Sequence, residues 1–273
     1  MNPRWRSRWP EGYYHVYNRG ARRLDIFAKD EDRSYFMHLV GRAANRFGVA
    51  GLAWCLVVNH YHLLLRASGA ALGRMLQEIE KVYARIFNKE VGFNGALFQG
   101  RFGATWLPDM EAVTYVSRYI HGNARDEGAD PEIYPWSSAG VYLGSSTAPG
   151  WMNPAPILDW IGGPEQYQEY LRAIPPKKKR VRAEDQAQAM FLEFLDERCR
   201  RLLEGHEELV GQCSIPALIS LVAIRSYAIR TQTLARHFGY SSGHTVSSAA
   251  SRMSKRLESM PELKGLLEGV LTN

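Results

Sequence analysis

Residues 56–65, LVVNHYHLLL, form an apolar run that contains two histidines one residue apart. Side chains alternate between the two faces of a β-strand, so a strand here projects His60 and His62 from the same face. At a rise of roughly 3.3 Å per residue, their Cα atoms lie roughly 6 to 7 Å apart, which lets two ring nitrogens converge on one metal ion. Polar rings in so apolar a run need partners if they are buried. The run therefore predicts a strand that carries half of a metal site.

Strand and helix patterns alternate along the first half of the chain. Aromatic and β-branched segments indicate strands, and apolar residues at 3.6-residue spacing indicate helices. The predicted strands are 12–19, 49–58, 60–67 and 98–107, and the predicted helices are 30–47, 72–87 and 110–121. The order β-α-β-β-α-β-α is the split β-α-β pattern, an antiparallel ferredoxin-like sheet with helices packed on one face. We expect an α+β fold over residues 1–144.

The second half predicts a different architecture. Residues 145–182 contain a turn-rich segment, a helical element over 157–173 and a proline-led basic linker over 174–182. Residues 183–273 predict an all-α domain with helices at 183–204, 216–230, 231–238 and 242–257. The last two have the spacing of a helix-turn-helix, whose second helix enters a DNA major groove. A three-helix core without DNA function has the same pattern.

Positive charge is concentrated in two parts of the chain. Residues 1–125 contain 18 Lys and Arg against 10 Asp and Glu, whereas residues 126–273 contain 16 against 18. A second basic segment without acidic residues contains Arg225, Arg230, Arg236, Arg252, Lys255 and Arg256. Both segments favour a polyanionic partner, although charge alone fits a solvated surface equally well.

Composition and cysteine usage exclude several classes of protein. The chain is 45% hydrophobic and 23% charged, which is typical of a globular protein. No apolar run reaches the roughly 18 to 20 residues of a membrane helix, and no signal-peptide core follows the basic first ten residues. Cys55, Cys199 and Cys213 form no C-x-x-C pair, which argues against a disulfide framework and a thiolate zinc site. We expect a cytoplasmic protein that does not bind membranes.

Tyr119 and Asn123 lie four residues apart at the end of the predicted helix 110–121, so both can occupy one helix face. A phenol with its ordinary pKa of about 10 is a poor nucleophile at neutral pH unless a metal or a base assists it. A cation near the two histidines would supply that assistance. The alternative is that Tyr115 and Tyr119 are core aromatics at helical spacing.

Five short segments occur in a fixed order over about the first 170 residues. They are YHVYNRG (14–20), NHYHLLL (59–65), LFQGRF (97–102), SRYIHGN (117–123) and YPWSS (134–138). Together they resemble the REP-associated tyrosine transposases, which are relatives of the single-tyrosine transposases with a His-hydrophobic-His (HUH) metal motif. The resemblance implies a HUH nuclease domain over residues 1–144.

The resemblance also implies residue roles. The implied metal ligands are His60, His62 and Asn123, and the implied metal is Mg²⁺ or Mn²⁺. The implied nucleophile is Tyr119, with Tyr115 as the alternative. Tyr61 departs from the family, which more often has a smaller apolar residue there, and Asn123 stands where relatives carry glutamine.

The activity implied by the resemblance is metal-dependent DNA transposition. Such an enzyme cleaves and rejoins single-stranded or hairpin (REP-like) DNA through a covalent 5′-phosphotyrosine intermediate, and it would be nucleoid-associated. Candidate DNA-binding residues are Arg19, Arg22, Arg23, Arg101 and Arg118, together with Trp5 and Trp9 among the first arginines. Two alternatives are a hairpin-binding protein that does not cleave and a replication-initiator-type nickase. A monomer and a homodimer are both compatible with the sequence.

The carboxy-terminal region carries a second resemblance. The segment from Ala217 to Ala249 looks like the helix-turn-helix domain of the bacterial replication initiator DnaA, whose signature loop is matched by Gly243, His244 and Thr245. The match is partial, since Gly243 stands where the signature has an acid and Val246 where it has a second threonine. The resemblance implies duplex DNA as the partner of this domain, with His244 and Thr245 as DNA-binding residues.

Overall fold

The computed structural model describes residues 10–173, 183–204, 206, 208, 214–227, 229 and 231–271. The chain divides into two compact units, residues 1–178 and 179–273. Trp5, Trp9 and their neighbouring arginines, the predicted linker over 174–182, and Cys213, Arg225 and Arg230 lie outside the described residues or have undescribed side chains. The domain boundaries 1–144, 145–182 and 183–273 stay a prediction.

A four-stranded antiparallel sheet forms the centre of the first unit. Its strands are β1 (Gly12–Arg19), β2 (Ala50–Val57), β3 (His60–Ala67) and β4 (Gly103–Leu107), in the order β2-β3-β1-β4. β1 lies between β3 and β4 and pairs with β3 along its whole length. This order confirms the predicted split β-α-β fold. β4 begins five residues later than predicted, because residues 98–102 form a loop, tied to β1 by an isolated bridge between Phe98 and Gly20.

Two helices cover one face of the sheet. Helix α1 (Asp30–Phe47) begins where the Asp32 carboxylate accepts hydrogen bonds from the Ala28 and Lys29 backbone, and helix α2 (Gly69–Val91) begins where Ser68 caps it. Their apolar faces bury the odd-numbered side chains of β3, which are Tyr61, Leu63, Leu65 and Ala67. Tyr61, the departure from the family pattern, therefore belongs to this core. Its hydroxyl donates a hydrogen bond of 2.6 Å to Glu80 on α2.

The opposite face of the sheet is covered by helix α3 (Met110–Gly122), which is followed by a 3₁₀ turn over Asn123–Glu127. Asp109 caps α3 by accepting a hydrogen bond of 2.9 Å from the Ala112 backbone. The expectation of helices on one face thus holds for α1 and α2 and not for α3. The reason is chemical: the even-numbered side of β3 carries His60 and His62, and an amphipathic helix with its own polar groups covers them.

Residues beyond α3 complete this unit. Three short helices follow: α4 (Ala139–Tyr142), α5 (Ala155–Ile161) and α6 (Pro164–Arg172), and the last two pack on α3. The single helix expected over 157–173 is therefore two helices. Gly162 and Gly163 have φ angles of 99° and 118°, which an α-helix does not tolerate, and Pro164 begins the next helix.

The second unit is all-α, as predicted. Its described helices are α7 (Ala183–Leu203), α8 (Ile215–Tyr227), α9 (Thr231–Phe238), α10 (Gly243–Glu258) and α11 (Pro261–Leu271). Leu218, Ala250, Met253 and Leu263 are among the buried residues of their common core. None of the helices in the described part of the chain is long and apolar enough to cross a membrane.

Candidate active site

His60 and His62 lie side by side on the β3 face beneath α3, with 2% and 0% of their surface exposed. Their ring centroids are 5.1 Å apart, and the rings are nearly perpendicular. The Nδ1 atom of His60 lies 2.8 Å from the amide oxygen of Asn59. An amide oxygen can only accept a hydrogen bond, so this contact places the His60 proton on Nδ1 and leaves the Nε2 lone pair for a ligand.

His15 on β1 is a third histidine of the site, and the sequence analysis missed it. Its Nε2 atom lies 3.0 Å from Nδ1 of His62, and the two rings are stacked with centroids 5.2 Å apart. Burial lowers the pKa of His15 to about 3, so the ring is neutral, and its Nδ1–H tautomer accepts the Nδ1 proton of His62. That tautomer leaves Nε2 of His62 for a metal ion, which is how outer partners commonly orient ligating histidines.

Tyr119 projects from α3 onto this cluster. Its ring centroid lies 5.5 Å from that of His62 and 5.8 Å from that of His15. Its hydroxyl oxygen is buried and interacts with the side chain of Asn123. Burial raises the pKa of Tyr119 well above its ordinary value, the Asp126 and Tyr17 charges raise it further, and Asn123 and Arg19 oppose the shift. The phenol therefore needs added positive charge before it can act as a nucleophile.

Tyr115, the alternative nucleophile, lies on a different part of α3. The guanidinium of Arg118 is 5.3 Å from the centre of the Tyr115 ring and 4.0 Å from the centre of the Tyr170 ring on α6. Tyr119, by contrast, has described ring contacts with His15 and His62, as does Tyr17 on β1. The geometry thus brings together the predicted nucleophile and the predicted histidines.

Asn123, the predicted third ligand, caps the end of α3. It is fully buried, and its amide nitrogen donates to the backbone oxygens of Tyr119 at 2.9 Å and Ile120 at 3.4 Å. Because these bonds use the nitrogen, the side-chain oxygen is the atom suited to a cation. Its role as a ligand stays a prediction.

Asp126, in the 3₁₀ turn after α3, is a second group that the sequence analysis missed. Its Oδ2 atom lies 3.8 Å from Nε2 of His60, and 28% of its side chain is exposed. No periodic pattern marks a residue of a short turn, so its approach to β3 could not be read from spacing. Among the described residues, no three or more His, Cys, Asp or Glu side chains form a group that could hold a metal ion.

The side chains at this site nevertheless fit a divalent cation. Two neutral imidazoles and an amide oxygen form a donor set that suits Mn²⁺ and, with weaker preference, Mg²⁺. The Tyr119 phenol lies beside them, and because burial raises its pKa, a cation at this site would stabilise its ionised form.

The predicted DNA-binding arginines occupy different surroundings. Arg19 ends β1 and lies opposite His60 in the strand register. Arg22 and Arg23 are exposed in the adjoining turn with φ angles of 54° and 65°, a left-handed conformation that is strained for arginine. Arg101 is exposed, and Arg118 is stacked between aromatic rings. The structure brings Arg19 to the histidine cluster.

In the second unit, His244 and Thr245 lie in the first turn of α10. His244 is exposed, whereas the Thr245 hydroxyl lies 3.0 and 3.1 Å from the hydroxyls of Ser241 and Ser242. Ser242 caps the helix by accepting a hydrogen bond from the Thr245 backbone. Arg252, Lys255 and Arg256 are exposed further along the same helix. α9 and α10 have the succession of a helix-turn-helix, and DNA binding there stays a prediction.

A buried polar network holds α3 from the side away from the histidines. His121 Nδ1 lies 2.8 Å from the Tyr167 hydroxyl, and His121 Nε2 lies 2.8 Å from the Ser138 hydroxyl. Tyr167 is also 3.0 Å from the Ser117 hydroxyl, which donates to Thr114 at 2.7 Å. Burial lowers the pKa of His121 to about 3, so this ring is neutral. The network ties α3 to α6 and to the segment over residues 134–138.

Comparison with known proteins supports the sequence resemblance. Residues 9–123 match the model of the IS200-like transposase family, and this region contains four of the five motif segments. Among solved structures that match is a REP-associated tyrosine transposase bound to a REP hairpin, with 17% identity over 52% of this chain and 85% of that chain, at a TM-score of 0.42. No curated protein matches significantly. The predicted resemblance to transposases is therefore confirmed over residues 9–123.

Proposed function

We propose that this protein, whose residues 9–123 match the IS200-like transposase family, is a metal-dependent DNA transposase that cleaves and rejoins DNA through Tyr119. One observation carries the proposal. The Tyr119 ring lies 5.5 Å from His62, on the sheet face that also bears His60. The nucleophile and the candidate histidine ligands thus converge from two elements, although they lie more than fifty positions apart in the sequence.

The reaction is a phosphoryl transfer to Tyr119. Its hydroxyl oxygen attacks the scissile phosphorus, an O–P bond to tyrosine forms, and the bond from phosphorus to the 3′ oxygen breaks. The 3′ oxygen leaves with the electron pair and takes up a proton, while the phenolic proton goes to solvent or to a nearby base. The product is a 5′-phosphotyrosine and a free 3′-hydroxyl. Attack by a 3′-hydroxyl reverses these changes and rejoins DNA without a nucleotide cofactor.

His60, His62 and Asn123 are the residues that would hold Mg²⁺ or Mn²⁺. A bound divalent cation supplies Lewis-acid polarisation of a phosphate oxygen and the positive charge that the buried phenol lacks. The protein's own contribution is orientation. Asn59 and His15 set the tautomers of the two histidines, and the turn at the end of α3 places Asn123 one helical turn beyond Tyr119.

The proposed substrate is single-stranded or hairpin DNA of the REP type. The backbone phosphate of an unpaired nucleotide can reach a nucleophile that lies between a sheet and a helix, whereas a phosphate within a duplex is less accessible. The lysines and arginines within residues 1–125 would bind the DNA backbone. The proposed contacts include Arg19, Arg22, Arg23 and Arg101. Duplex DNA is the proposed partner of the helix-turn-helix formed by α9 and α10.

A hairpin-binding protein that does not cleave is the second candidate. The observation that favours it is the buried Tyr119 hydroxyl with its raised pKa, since such a phenol resists ionisation. The two candidates differ in one product, the covalent protein–DNA adduct.

Detection of that adduct on a denaturing gel tests the proposal. Single-stranded oligonucleotides from the DNA flanking the gene are incubated with Mn²⁺, Mg²⁺ or EDTA, and Tyr119→Phe, Tyr115→Phe and His60→Ala proteins run alongside. We expect a metal-dependent adduct that Tyr119→Phe and His60→Ala abolish and Tyr115→Phe retains. Tight hairpin binding with no adduct from the unmodified protein would favour the second candidate.

A further inference from the structure

Arg19 lies on the catalytic face of the sheet by virtue of strand register. β1 and β3 are antiparallel, and the register places Arg19 directly opposite His60 and Tyr17 directly opposite His62. Directly opposed residues project to the same face with Cβ atoms about 4.5 to 5.5 Å apart. The Arg19 side chain therefore starts beside the histidine that faces Asp126.

The backbone around Arg19 is held firmly. Its amide donates a hydrogen bond of 2.8 Å to the Asn18 side chain, and its carbonyl accepts one of 2.8 Å from the Gln99 backbone. Asn18 in turn donates to Glu80 at 2.7 Å and to the Gly100 carbonyl at 3.0 Å. These bonds fix the backbone from which the Arg19 side chain extends.

The Arg19 side chain has unused hydrogen-bonding capacity. Its Nε atom is buried and has no hydrogen-bond partner within the described part of the chain. The Tyr119 hydroxyl is also buried, and the positive charge of Arg19 lowers the pKa of that phenol, as does its side-chain hydrogen bond with Asn123. A buried guanidinium nitrogen without a described partner, which interacts electrostatically with the nucleophile, suits a ligand that accepts hydrogen bonds and carries negative charge. Phosphate is such a ligand.

We infer that Arg19 is a catalytic residue that binds the scissile phosphate while Tyr119 attacks it. This inference rests on the proposed function and assigns Arg19 a task distinct from general DNA binding. Attack adds negative charge to the two non-bridging oxygens, and the planar guanidinium donates two parallel hydrogen bonds to such a pair of oxygens. The positive charge of the Arg19 guanidinium also stabilises the Tyr119 oxygen as it loses its proton. The contribution is therefore larger in the transition state than in the bound substrate.

Single-turnover kinetics separates this role from simple binding. The full-length protein, in excess over a labelled single-stranded oligonucleotide, is compared with Arg19→Ala, Arg19→Lys and Arg42→Ala for the rate of adduct formation and for the Kd. Arg42 is an exposed cation on α1, on the other side of the sheet, so Arg42→Ala controls for the loss of one surface charge. We expect Arg19→Ala to slow adduct formation by about 100-fold or more while weakening binding by about tenfold or less.

Two further readouts identify the phosphate contact. Added guanidinium ion should restore part of the Arg19→Ala rate and leave Arg19→Lys unchanged, since the lysine side chain fills the space. A phosphorothioate at the scissile position should slow the unmodified protein more than it slows Arg19→Ala, because the variant has already lost the contact. A circular dichroism spectrum equal to that of the unmodified protein shows that a slow variant is folded.

The possible outcomes are distinguishable. An adduct from the unmodified protein with an undiminished rate in Arg19→Ala overturns the inference and leaves the proposed function standing. A reduced rate that follows the loss of binding alone, without guanidinium rescue, also overturns it. No adduct from the unmodified protein on DNA that it binds tightly rejects the proposed function, and the inference falls with it.

Discussion

Removing the Tyr167 hydroxyl should destabilise the first unit more than removing a neighbouring hydroxyl with matched packing. Tyr167 and Tyr142 are both fully buried, and their rings stack with centroids 4.4 Å apart. The Tyr142 hydroxyl donates one hydrogen bond of 2.7 Å to the Leu52 carbonyl, whereas the Tyr167 hydroxyl contacts both His121 and Ser117. The substitutions Tyr167→Phe and Tyr142→Phe thus differ chiefly in the polar partners that they leave behind.

The positions of the protons in this network determine how much stability Tyr167→Phe removes. The Thr114 carbonyl can only accept a hydrogen bond, so the single hydroxyl proton of Ser117 goes to Thr114. The Tyr167 hydroxyl must then donate to Ser117. Because its one proton is used there, His121 Nδ1 donates to the Tyr167 oxygen. Tyr167→Phe leaves the His121 N–H buried without an acceptor, at about 1 to 3 kcal/mol, and removes a second bond worth about 1 kcal/mol. We expect the free energy of unfolding to fall by about 2 to 4 kcal/mol, against about 1 kcal/mol for Tyr142→Phe.

Tryptophan fluorescence during urea denaturation of the full-length protein measures this difference. All seven tryptophans lie at or before Trp160, so the signal reports the first unit. Equal losses for the two variants, or a larger loss for Tyr142→Phe, would refute the proton order given above. A fall in adduct formation for Tyr167→Phe beyond its loss of folded protein would show that the network also positions α3.

Three further predictions follow from the site and its surroundings. His15→Phe should weaken Mn²⁺ binding, measured by calorimetry, by about 10- to 100-fold. His15→Gln should weaken it less, because glutamine can still accept the proton of His62. Equal effects of the two substitutions would contradict the role of His15 as that acceptor. The buried histidines His15 and His121 have pKa values lowered to about 3 in the folded protein, so they bind protons in the unfolded chain first, below about pH 6.5. The free energy of unfolding should therefore fall by about 1 kcal/mol per histidine between pH 6.5 and 5.5. A flat profile would show that both histidines are charged when folded. Gly103→Ala should lower the urea midpoint, because its Cβ would lie 2.4 Å from the Tyr17 ring, whereas Gly73→Ala, in open space on α2, should raise it slightly; the reverse order would contradict the packing.

Local patterns predicted most of the fold. β1, α1 and β3 occur at the expected residues, since apolar spacing and polar ends reinforce one another there. β4 and the helix over 157–173 differ from the prediction for local reasons. Phe98 and Phe102 are buried residues of a loop that precedes β4 and do not belong to the strand. The glycine pair at 162–163 interrupts an otherwise helical pattern.

The site was only half visible in the sequence. His60, His62 and Tyr119 could be named because each belongs to a short segment with a recognisable order. His15 reaches His62 through the register between β1 and β3, and Asp126 reaches His60 from a turn after α3. Such contacts join residues distant along the chain, so no local periodicity carries them. The pairing of β1 with β3, once inferred, would have placed Arg19 and His15 on the histidine face.

The outer edge of β2 is closed by segments from elsewhere in the first unit. Leu56 donates to the Trp136 carbonyl, Trp54 donates to the Ser138 hydroxyl, and Gly51 exchanges backbone hydrogen bonds with Trp151 and Asn153. An open edge would offer a template to a strand of another molecule, and this one has no free row of donors. Two copies of this chain therefore cannot join their sheets through β2, and any dimer must assemble through a different surface. The same closure protects the sheet from edge-to-edge aggregation through β2.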